Sequence, residues 1–321
     1  MAYIEVSGLE KVFFVRKKRE NGGLLREKTR VKALDGVSFN VERGELVGYI
    51  GPNGAGKSTT VKILSGILTP DGGSARVGGL VPWKERKRHV RRVGVVFGQR
   101  TQLWWDVPVE ESYRLLRDIY RVPEGEFKSR FDDLVSALDL GNILRTPLRL
   151  LSLGQRMRAE LAGSLLHGPE LLFLDEPTIG LDAVSKLNLR AFLKEENRRR
   201  GTTVMLTTHD MEDIRALCPR VMVLGHGKKL FDGALDDLLS RYDTRREAKV
   251  RFEGEADLTP LAAECDISRD GDAYRVSYAT DRVPVARILD GLRAAGTIRE
   301  LTLEPASVDA MIADMYRELD L

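Results

Sequence analysis

Residues 51–58 read Gly51-Pro52-Asn53-Gly54-Ala55-Gly56-Lys57-Ser58 and match the pattern G-x-x-x-x-G-K-[ST] at every fixed position. The stretch follows 45–50 (ELVGYI), an apolar run that predicts a strand, and precedes apolar residues at helical spacing in 61–68. In a strand–loop–helix of this kind, glycines let successive backbone N–H groups face phosphate oxygens at the positive end of the helix. The sequence therefore predicts a phosphate-binding loop. Lys57 would reach the β- and γ-phosphates, Ser58 would ligate Mg²⁺ and Thr59 would bond the α-phosphate.

A second apolar run ends in two carboxylates. Leu171–Glu176 reads LLFLDE, which predicts a buried strand with Asp175 at its carboxyl end. Ligands of open parallel sheets bind at that edge, so Asp175 is predicted to hold Mg²⁺ or its waters. Glu176 lies one residue further and is predicted to orient or deprotonate an attacking water. His209 follows another apolar run, 203–207, and is predicted at the same edge, near the γ-phosphate.

Composition narrows the class of protein. The chain has 321 residues, of which 42% are apolar and 31% charged, and this indicates a folded protein of about two domains. It has no apolar run long enough to span a bilayer, and its N-terminus does not have the pattern of a secretory signal. We therefore expect a cytoplasmic chain. Cys218 and Cys265 are too few for a disulfide framework or a zinc cage, and both are expected to be buried thiols.

Positive charge is concentrated in one segment. Residues 16–32 hold eight Lys and Arg against two Glu, although the whole chain has a net charge of only +3. A near-neutral protein of this kind is not a uniformly basic nucleic-acid binder, and no nucleic-acid partner is expected. A second basic cluster is 84–92 (KERKRHVRR). Each cluster is either a solvated surface or a contact for anionic lipid or an acidic partner.

The order of the elements indicates an α/β protein with a separate C-terminal domain. The basic segment is predicted as a surface insertion within a β-hairpin, because strand-like runs lie on both sides of it, at 3–6, 12–15 and 37–41. Helical spacing dominates 109–168, and the two buried runs that follow alternate with helices, which is typical of a parallel sheet. From about residue 241 the chain is acidic and reads β-α-β-β-α-β-α, which predicts a small α+β domain.

A further loop, Leu151-Ser152-Leu153-Gly154-Gln155, precedes a predicted helix. With it the chain resembles the nucleotide-binding subunit of ABC transporters, because the phosphate loop, a signature loop (LSLGQ), LLFLDEP, Gly180-Leu181-Asp182 and His209 occur in that family's order. Gln99 matches the family's Q-loop glutamine. The resemblance covers about 1–240. It implies an α/β P-loop NTPase core with an antiparallel β subdomain and a helical subdomain at about 100–168, followed by an accessory α+β domain in 241–321.

The resemblance also implies roles for individual residues. Phe13 lies where the family places an aromatic residue that stacks on adenine, with Phe14 as the alternative. Ser152, Gly154 and Gln155 would contact ATP bound to the opposite subunit, and Asp182 would lie in the D-loop that crosses the dimer. The implied nucleotide-binding residues are Phe13, Gly51, Asn53, Gly54, Ala55, Gly56, Lys57, Ser58, Thr59 and Gln99. The implied metal ligands are Ser58, Gln99 and Asp175, and the implied catalytic residues are Glu176 and His209.

Two features depart from the family's pattern. The signature loop usually reads LSGGQ, whereas Leu153 stands at its third position, where a Cβ disfavours positive φ and changes how closely the loop can approach phosphate. The segment 16–32 is longer than the usual turn, which bears on the adenine contact of Phe13.

Within the family, the chain is most similar to ATPases that pair with separately encoded exporter-type permeases. It has one nucleotide-binding domain, the stretch 99–106 (QRTQLWWD) and a C-terminal domain containing 304–309 (EPASVD). The resemblance implies an ATP- and Mg²⁺-dependent ATPase, peripheral on the cytoplasmic face of the membrane. It would close with a second ATP-binding subunit, expected to be another copy of this chain with a homologue as the alternative, and power export through permease subunits. Of Trp104 and Trp105, either both pack in the helical subdomain or one lies in the groove that receives the permease.

Two other classes of function remain as alternatives. The first is a non-transport ABC ATPase acting in translation or DNA repair. Such proteins usually carry paired nucleotide-binding domains, long coiled coils or zinc modules, which the sequence does not show. The second is a P-loop kinase or GTPase, against which LSLGQ, His209 and the lack of an N-K-x-D motif argue.

Overall fold

The computed structural model describes residues 2–18, 26–98, 100–208, 210–242 and 245–305. The chain divides into two units, the first ending at Gly233 and the second beginning at Ala234. The strands of the first unit are β1 (Ala2–Lys18), β2 (Arg26–Glu42), β3 (Leu46–Ile50), β4 (Gly72–Val77), β5 (Val93–Phe97), β6 (Leu171–Asp175), β7 (Thr203–Thr207), β8 (Arg220–Gly225) and β9 (Lys228–Ala234), which reaches the boundary. Its helices are α1 (Lys57–Leu64), α2 (Arg86–His89), α3 (Val109–Tyr120), α4 (Glu124–Ala137), α5 (Leu153–Leu165), α6 (Ala183–Arg200) and α7 (Met211–Leu217).

A six-stranded sheet lies at the centre of the first unit. Its order is β5-β6-β7-β3-β8-β9, and every pairing from β5 to β8 is parallel. Parallel strands are covered on both faces, which is why β6 and β7 are continuous apolar or threonine-containing runs with buried side chains. Phe97, Asp175 and Thr207 are register neighbours at the carboxyl ends of three adjacent strands. The polar residues that follow these strands therefore gather at one edge.

A smaller antiparallel sheet, of order β2-β1-β4, belongs to the same unit. The β1–β2 hairpin pairs Phe13 with Val31 and continues to Lys18 opposite Arg26. Residues 16–18 and 26–32 of the basic segment thus form the far arms of this hairpin, and the two strands run further than the short patterns predicted. Residues 19–25 of that segment lie outside the described part of the chain.

Three helices, α3 to α5, lie between β5 and β6 along the chain. The buried Tyr113 of α3 donates its hydroxyl to the Ala159 carbonyl of α5 at 2.9 Å, and its ring meets the edge of Phe131 of α4 at a centroid distance of 6.1 Å. These contacts join the three helices. Because α5 leads into β6, the signature loop at its start and Asp175 belong to two ends of one continuous segment.

The second unit contains α8 (Leu235–Tyr242), β10 (Arg245–Phe252), β11 (Asp266–Asp270), β12 (Ala273–Ala279), α9 (Val285–Ala295) and β13 (Ile298–Pro305). Its antiparallel sheet has the order β11-β12-β10-β13, and α9 contributes Ile288 and Leu292 to one core with Val250 and Val276. The sequence predicts a helix between the first two strands of this unit. That prediction is wrong, because only a 3₁₀ turn at Thr259–Leu261 forms between β10 and β11. Pro260 removes a backbone donor, and Asp257 accepts from the Thr259 N–H at 3.0 Å, which favours a turn. The final predicted helix lies outside the described residues.

Cys218 and Cys265 are both buried free thiols, as predicted. Burial raises the pKa of the Cys218 thiol to about 12, so it stays protonated and unreactive at neutral pH. Among the described residues, no helix combines the length and apolarity needed to cross a membrane.

Candidate functional site

The loop 51–56 depends on glycine at two positions where it meets neighbouring backbone. Gly51 has a φ of 156°, and a Cβ there would lie 2.4 Å from the Leu224 carbonyl oxygen at the end of β8. Gly56 has a φ of 108°, and its Cβ would lie 2.5 Å from the Ala33 carbonyl oxygen of β2. The Ala55 carbonyl accepts the Gly227 N–H at 3.1 Å. The loop is therefore held from both sides in a conformation that other residues resist.

Lys57 begins α1 and keeps its ammonium inside this loop. Its Nζ donates to the carbonyls of Gly51 at 2.6 Å and Pro52 at 3.1 Å, and the residue is only 7% exposed. Burial lowers the pKa of Lys57, while the charges of Glu176 and Asp175 oppose that shift. The cation thus bonds to neutral carbonyl oxygens, which phosphate oxygens can replace.

Asp175 connects three elements at the carboxyl edge of the sheet. Its Oδ1 accepts hydrogen bonds from the Ser58 hydroxyl of α1 at 3.2 Å and the Thr207 hydroxyl of β7 at 2.5 Å. A carboxylate beside a serine hydroxyl, next to a phosphate loop, offers the oxygen ligands that Mg²⁺ prefers. These donors fit the predicted metal role of Ser58 and Asp175.

Glu176 has a left-handed backbone, with a φ of 57°, directly after β6. Its N–H donates to the Thr207 carbonyl at 2.8 Å, and Gly98 approaches so closely that a Cβ there would lie 2.4 Å from the Glu176 carbonyl oxygen. A non-glycine residue at positive φ costs about 1–3 kcal/mol and is commonest at functional sites. Here β7 and the end of β5 maintain that conformation, and Glu176 lines the cleft described next.

A cleft of about 600 Å³ brings most of the predicted nucleotide residues together. Phe13 lines it, whereas the adjacent Phe14 is 69% exposed and does not, as expected for neighbours on a strand. The structure therefore places Phe13, and not its alternative, beside the loop. The predicted residues that line this cleft are Phe13, Asn53, Gly54, Ala55, Gly56, Lys57, Ser58, Thr59, Asp175 and Glu176.

Several residues that line the cleft were missed by sequence reasoning. Val31 is the register partner of Phe13. The sequence does not predict this pairing, because the long segment between the two residues leaves the register of the hairpin open. Lys62 belongs to α1 and Ile67 to the turn that follows it, and a helical pattern could have suggested both. Arg100 follows Gln99 and brings a further cation to the wall. Ala33, Pro52, Phe97 and Gly98 complete the lining.

The signature residues lie outside this cleft, at the start of α5. Ser152 caps the helix: its hydroxyl accepts the Gln155 N–H at 3.3 Å, and the Gln155 side chain accepts the Ser152 N–H at 3.0 Å. Leu153 is not among the residues at positive φ, so its Cβ imposes no strain there. Its side chain instead covers Gly180, whose Cβ would lie 2.5 Å from Leu153 Cδ2.

Asp182 occupies the matching position at the start of α6. Its carboxylate accepts from the N–H and the hydroxyl of Ser185, both at 2.8 Å, and these hydrogen bonds hold the pKa of Asp182 below its usual range. Gly154 packs against Ser185, since a Cβ on the glycine would lie 3.1 Å from the serine Oγ. The signature loop and the expected D-loop are therefore in contact with each other, and neither lines the cleft that contains the phosphate loop.

Two of the predicted site residues, Gln99 and His209, lie outside the described part of the chain. Their neighbours are described: Phe97 and Gly98 line the cleft, and Thr208 is buried after β7. The roles predicted for both side chains stay predictions.

Comparison with known proteins agrees with this geometry. The family model described as ABC transporter matches residues 34–179. The ABC transporter ATP-binding protein NatA of Bacillus subtilis is 31% identical over 226 residues, which cover 70% of this chain and 90% of NatA. The daunorubicin/doxorubicin resistance ATP-binding protein DrrA of Streptomyces peucetius is 32% identical over 304 residues, covering 90% of this chain and 89% of DrrA.

Solved structures give the same fold. An ATP-binding subunit of an ABC transporter is 26% identical with a TM-score of 0.63, and the match covers 75% of this chain and 93% of that one. A dimeric ATP-binding cassette in a post-hydrolysis state, bound to ADP and Pi, is 26% identical with a TM-score of 0.61, covering 72% of this chain and 98% of that one. The chain belongs to the family of ABC transporter ATP-binding proteins and is an ATP-binding, ATP-hydrolysing subunit of that family.

Proposed function

We propose that two copies of this chain close head to tail on two Mg·ATP and power export through membrane permease subunits. The observation that carries the proposal is the division of the functional residues between two surfaces. The cleft holds the phosphate loop, Asp175 and Glu176, whereas Ser152 and Asp182 begin two helices outside it. A single chain therefore presents two half-sites, and a second copy supplies the missing half of each.

Within the cleft, the residues divide the work of hydrolysis. Lys57 and the loop N–H groups would bind the phosphates, and Ser58 and Asp175 would hold Mg²⁺, which would neutralise developing charge on the phosphate oxygens. Glu176 orients the attacking water and accepts its proton. In this proposal Gln99 would join the metal ligands and His209 would contact the γ-phosphate.

The opposite subunit acts through the start of α5. The first backbone N–H groups of this 13-residue helix carry partial positive charge, and the Ser152 hydroxyl and Gly154 lie at that end. Facing the γ-phosphate of the other subunit, this surface would bind ATP and not ADP strongly. ATP then stabilises the closed dimer by its higher affinity for that state, and hydrolysis reopens it.

The segment after Gln99 offers a path from the cleft to a permease. The Thr101 hydroxyl and the Gln102 N–H both donate to the buried Glu160 carboxylate of α5, the latter at 3.1 Å. Trp104 and Trp105 follow and are 40% and 46% exposed, so neither belongs to the core, and Arg156 stacks on Trp105 at 5.8 Å. We propose these exposed rings as part of the permease contact, since aromatic residues are enriched where interfaces derive their energy.

Export is favoured by the names of two relatives. DrrA is a resistance protein, and the Nod factor export ATP-binding protein I of Ralstonia nicotianae is 35% identical over 222 residues, covering 68% of this chain and 67% of that protein. These comparisons do not favour the alternative of a translation or DNA-repair ATPase. We propose that the subunit is peripheral on the cytoplasmic face of the membrane, where the basic segment 16–32 contacts anionic lipid. The cargo would be selected by the permease.

Size-exclusion chromatography of engineered variants tests the composite site. In a Glu176→Gln background that retains ATP, adding ATP and Mg²⁺ should produce a dimer. The further change Ser152→Arg should abolish that dimer while leaving the ATP affinity of the single subunit unchanged, because it obstructs the surface that faces the other subunit's nucleotide. Ser136→Arg, the same change at an exposed serine of α4, is the matched control and should still dimerise. If Ser152→Arg also still dimerises, Ser152 does not serve the opposite site.

A further inference from the structure

The strand that carries Phe13 loses its pairing on one side just before the cleft. β1 pairs with β4 only as far as Glu10 opposite Gly72 in the described residues, and its pairing with β2 is irregular between Lys11 and Val12. The part of β1 that presents Phe13 to the cleft therefore lies beyond the end of one ladder. Something other than sheet pairing must hold that side of the strand.

Asp71 forms hydrogen bonds with β1 at the point where the pairing of β1 with β4 ends. Its Oδ2 accepts the Val12 N–H at 2.7 Å, its Oδ1 accepts the Lys11 ammonium at 3.0 Å, and its own N–H donates to the Glu10 carbonyl at 2.9 Å. The Lys11 ammonium donates in addition to the Thr69 carbonyl at 2.9 Å. These bonds hold the pKa of Asp71 below its usual range, with the Val12 N–H as the largest cause.

The same aspartate is tied to the phosphate loop through the chain. Asp71 follows the turn after α1, whose first residue is Lys57, and the N–H of Ile67 in that turn donates to the Lys62 carbonyl at 2.8 Å. Ile67 and Phe13 both line the cleft, and the Lys11 ammonium lies 5.7 Å from the Phe13 ring centroid. The Asp71 carboxylate thus connects β1, which carries Phe13, with the segment that begins with α1 at the phosphate loop.

We propose that Asp71 is a positioning residue for the nucleotide base. Its carboxylate fixes β1 at Val12 and thereby holds the Phe13 ring at the distance from the phosphate loop that a nucleoside triphosphate requires. The inference rests on the proposed nucleotide site. It predicts a specific pattern: loss of Asp71 weakens the binding of ligands that have a base and spares ligands that consist of phosphates alone.

Calorimetry with two probes, ATP and inorganic tripolyphosphate, both with Mg²⁺, tests this pattern on the full chain. Phe13→Ala should weaken ATP by about 5- to 150-fold, the range for loss of a base–aromatic stack, and leave tripolyphosphate within twofold. Asp71→Ala should weaken ATP by at least about fivefold and by no more than Phe13→Ala does, again with tripolyphosphate unchanged. The double variant should bind ATP no more weakly than Phe13→Ala, because both changes remove the same contact. Phe14→Ala, the exposed neighbour, is the matched control and should leave both affinities unchanged.

Two conservative changes separate positioning from general stability. Asp71→Asn keeps an oxygen that can accept the Val12 N–H and should bind ATP within about threefold of wild type. Lys11→Met keeps the carboxylate, removes the ammonium, and should give the Asp71→Ala pattern at smaller size, which keeps the test available if Asp71→Ala does not fold.

Three results would overturn the proposal. Equal weakening of ATP and tripolyphosphate by Asp71→Ala would make Asp71 merely structural. Unchanged ATP binding in Asp71→Ala, with a loss in Phe13→Ala, would reject the positioning role of Asp71 and keep the contact between Phe13 and the base. Unchanged ATP binding in Phe13→Ala would reject the contact between Phe13 and the base, and the positioning role of Asp71 with it.

Discussion

Replacing Lys57 with alanine should weaken ATP binding much more than it weakens the fold. The Lys57 ammonium is almost completely enclosed, and its two hydrogen bonds go to the carbonyls of Gly51 and Pro52 in its own loop. When a triphosphate binds, the Lys57 ammonium exchanges its hydrogen bonds to neutral carbonyl oxygens for hydrogen bonds to charged phosphate oxygens. The exchange gains energy because charge-assisted hydrogen bonds are the stronger kind.

The size of the loss follows from this exchange. A hydrogen bond to a charged group contributes about 1.5–3 kcal/mol, and giving up the carbonyl bonds leaves roughly one such interaction as the net gain. Lys57→Ala should therefore weaken ATP by about 10- to 150-fold. The fold should lose at most about 1 kcal/mol, because Gly51 is half-buried and Pro52 is exposed, so water can reach both carbonyls.

Calorimetry with Mg·ATP and urea unfolding of the same preparations measure the two quantities. Lys87→Ala removes an exposed lysine of α2 outside the cleft and should change neither. An ATP affinity within twofold of wild type would refute the reasoning about the loop. A loss of several kcal/mol in the free energy of unfolding would show that Lys57 serves the fold and not the ligand.

Two further predictions concern the acid stability of the fold and the permease contact. Burial lowers the pKa of His167 from 6.5 to about 4: its Nε2 donates to the Val93 carbonyl at 3.2 Å, while Nδ1 is buried with no partner in the described residues. The unfolded chain therefore takes up this proton below pH 6.5 and the folded chain only near pH 4, so the free energy of unfolding should fall by about 2 kcal/mol between pH 7 and pH 5. His167→Phe can keep the stack on Tyr120 and should remove the contribution of His167 to this fall, as measured by urea unfolding at both pH values. Identical pH dependence of the free energy of unfolding in wild type and variant would contradict the assignment of the fall to His167. Trp105→Ala should leave the ATPase rate of the isolated subunit near wild type but reduce copurification with the permease and transport, whereas equal losses of basal ATPase and thermal stability in Trp104→Ala and Trp105→Ala would assign both rings to packing.

The parts of the site that the sequence predicts are those set by local chemistry. The phosphate loop needs glycine where its backbone meets Ala33 and Leu224, so the residue types themselves reveal it. Asp175 and Glu176 follow a continuous apolar strand, and parallel strands end at one edge. These inferences need no knowledge of distant contacts.

The rest depends on contacts that the sequence does not reveal. The sequence places Phe13 beside the base with Phe14 as the alternative, and the choice between them depends on the pairing of β1 with β2, which puts Phe13 on the side of the cleft. The α5 helix begins at Leu153, inside the loop that the sequence places before the helix, although Ser152 and Gln155 form a capping box that could have indicated this start. Asp71 lies 59 positions from Val12 along the chain, so its role emerges only once β1 and the turn after α1 are folded together.

The most direct test of the account is the ATPase rate of Glu176→Gln beside wild type, with ATP binding measured on the same samples. Wild type should hydrolyse ATP only with Mg²⁺ present. Glu176→Gln keeps the shape of the side chain and loses the charge that orients and deprotonates water, so its steady-state turnover should fall to background while its ATP affinity stays at the wild-type value and ATP traps the dimer. Turnover near the wild-type rate in Glu176→Gln would contradict the assignment of the catalytic base and the mechanism built on it.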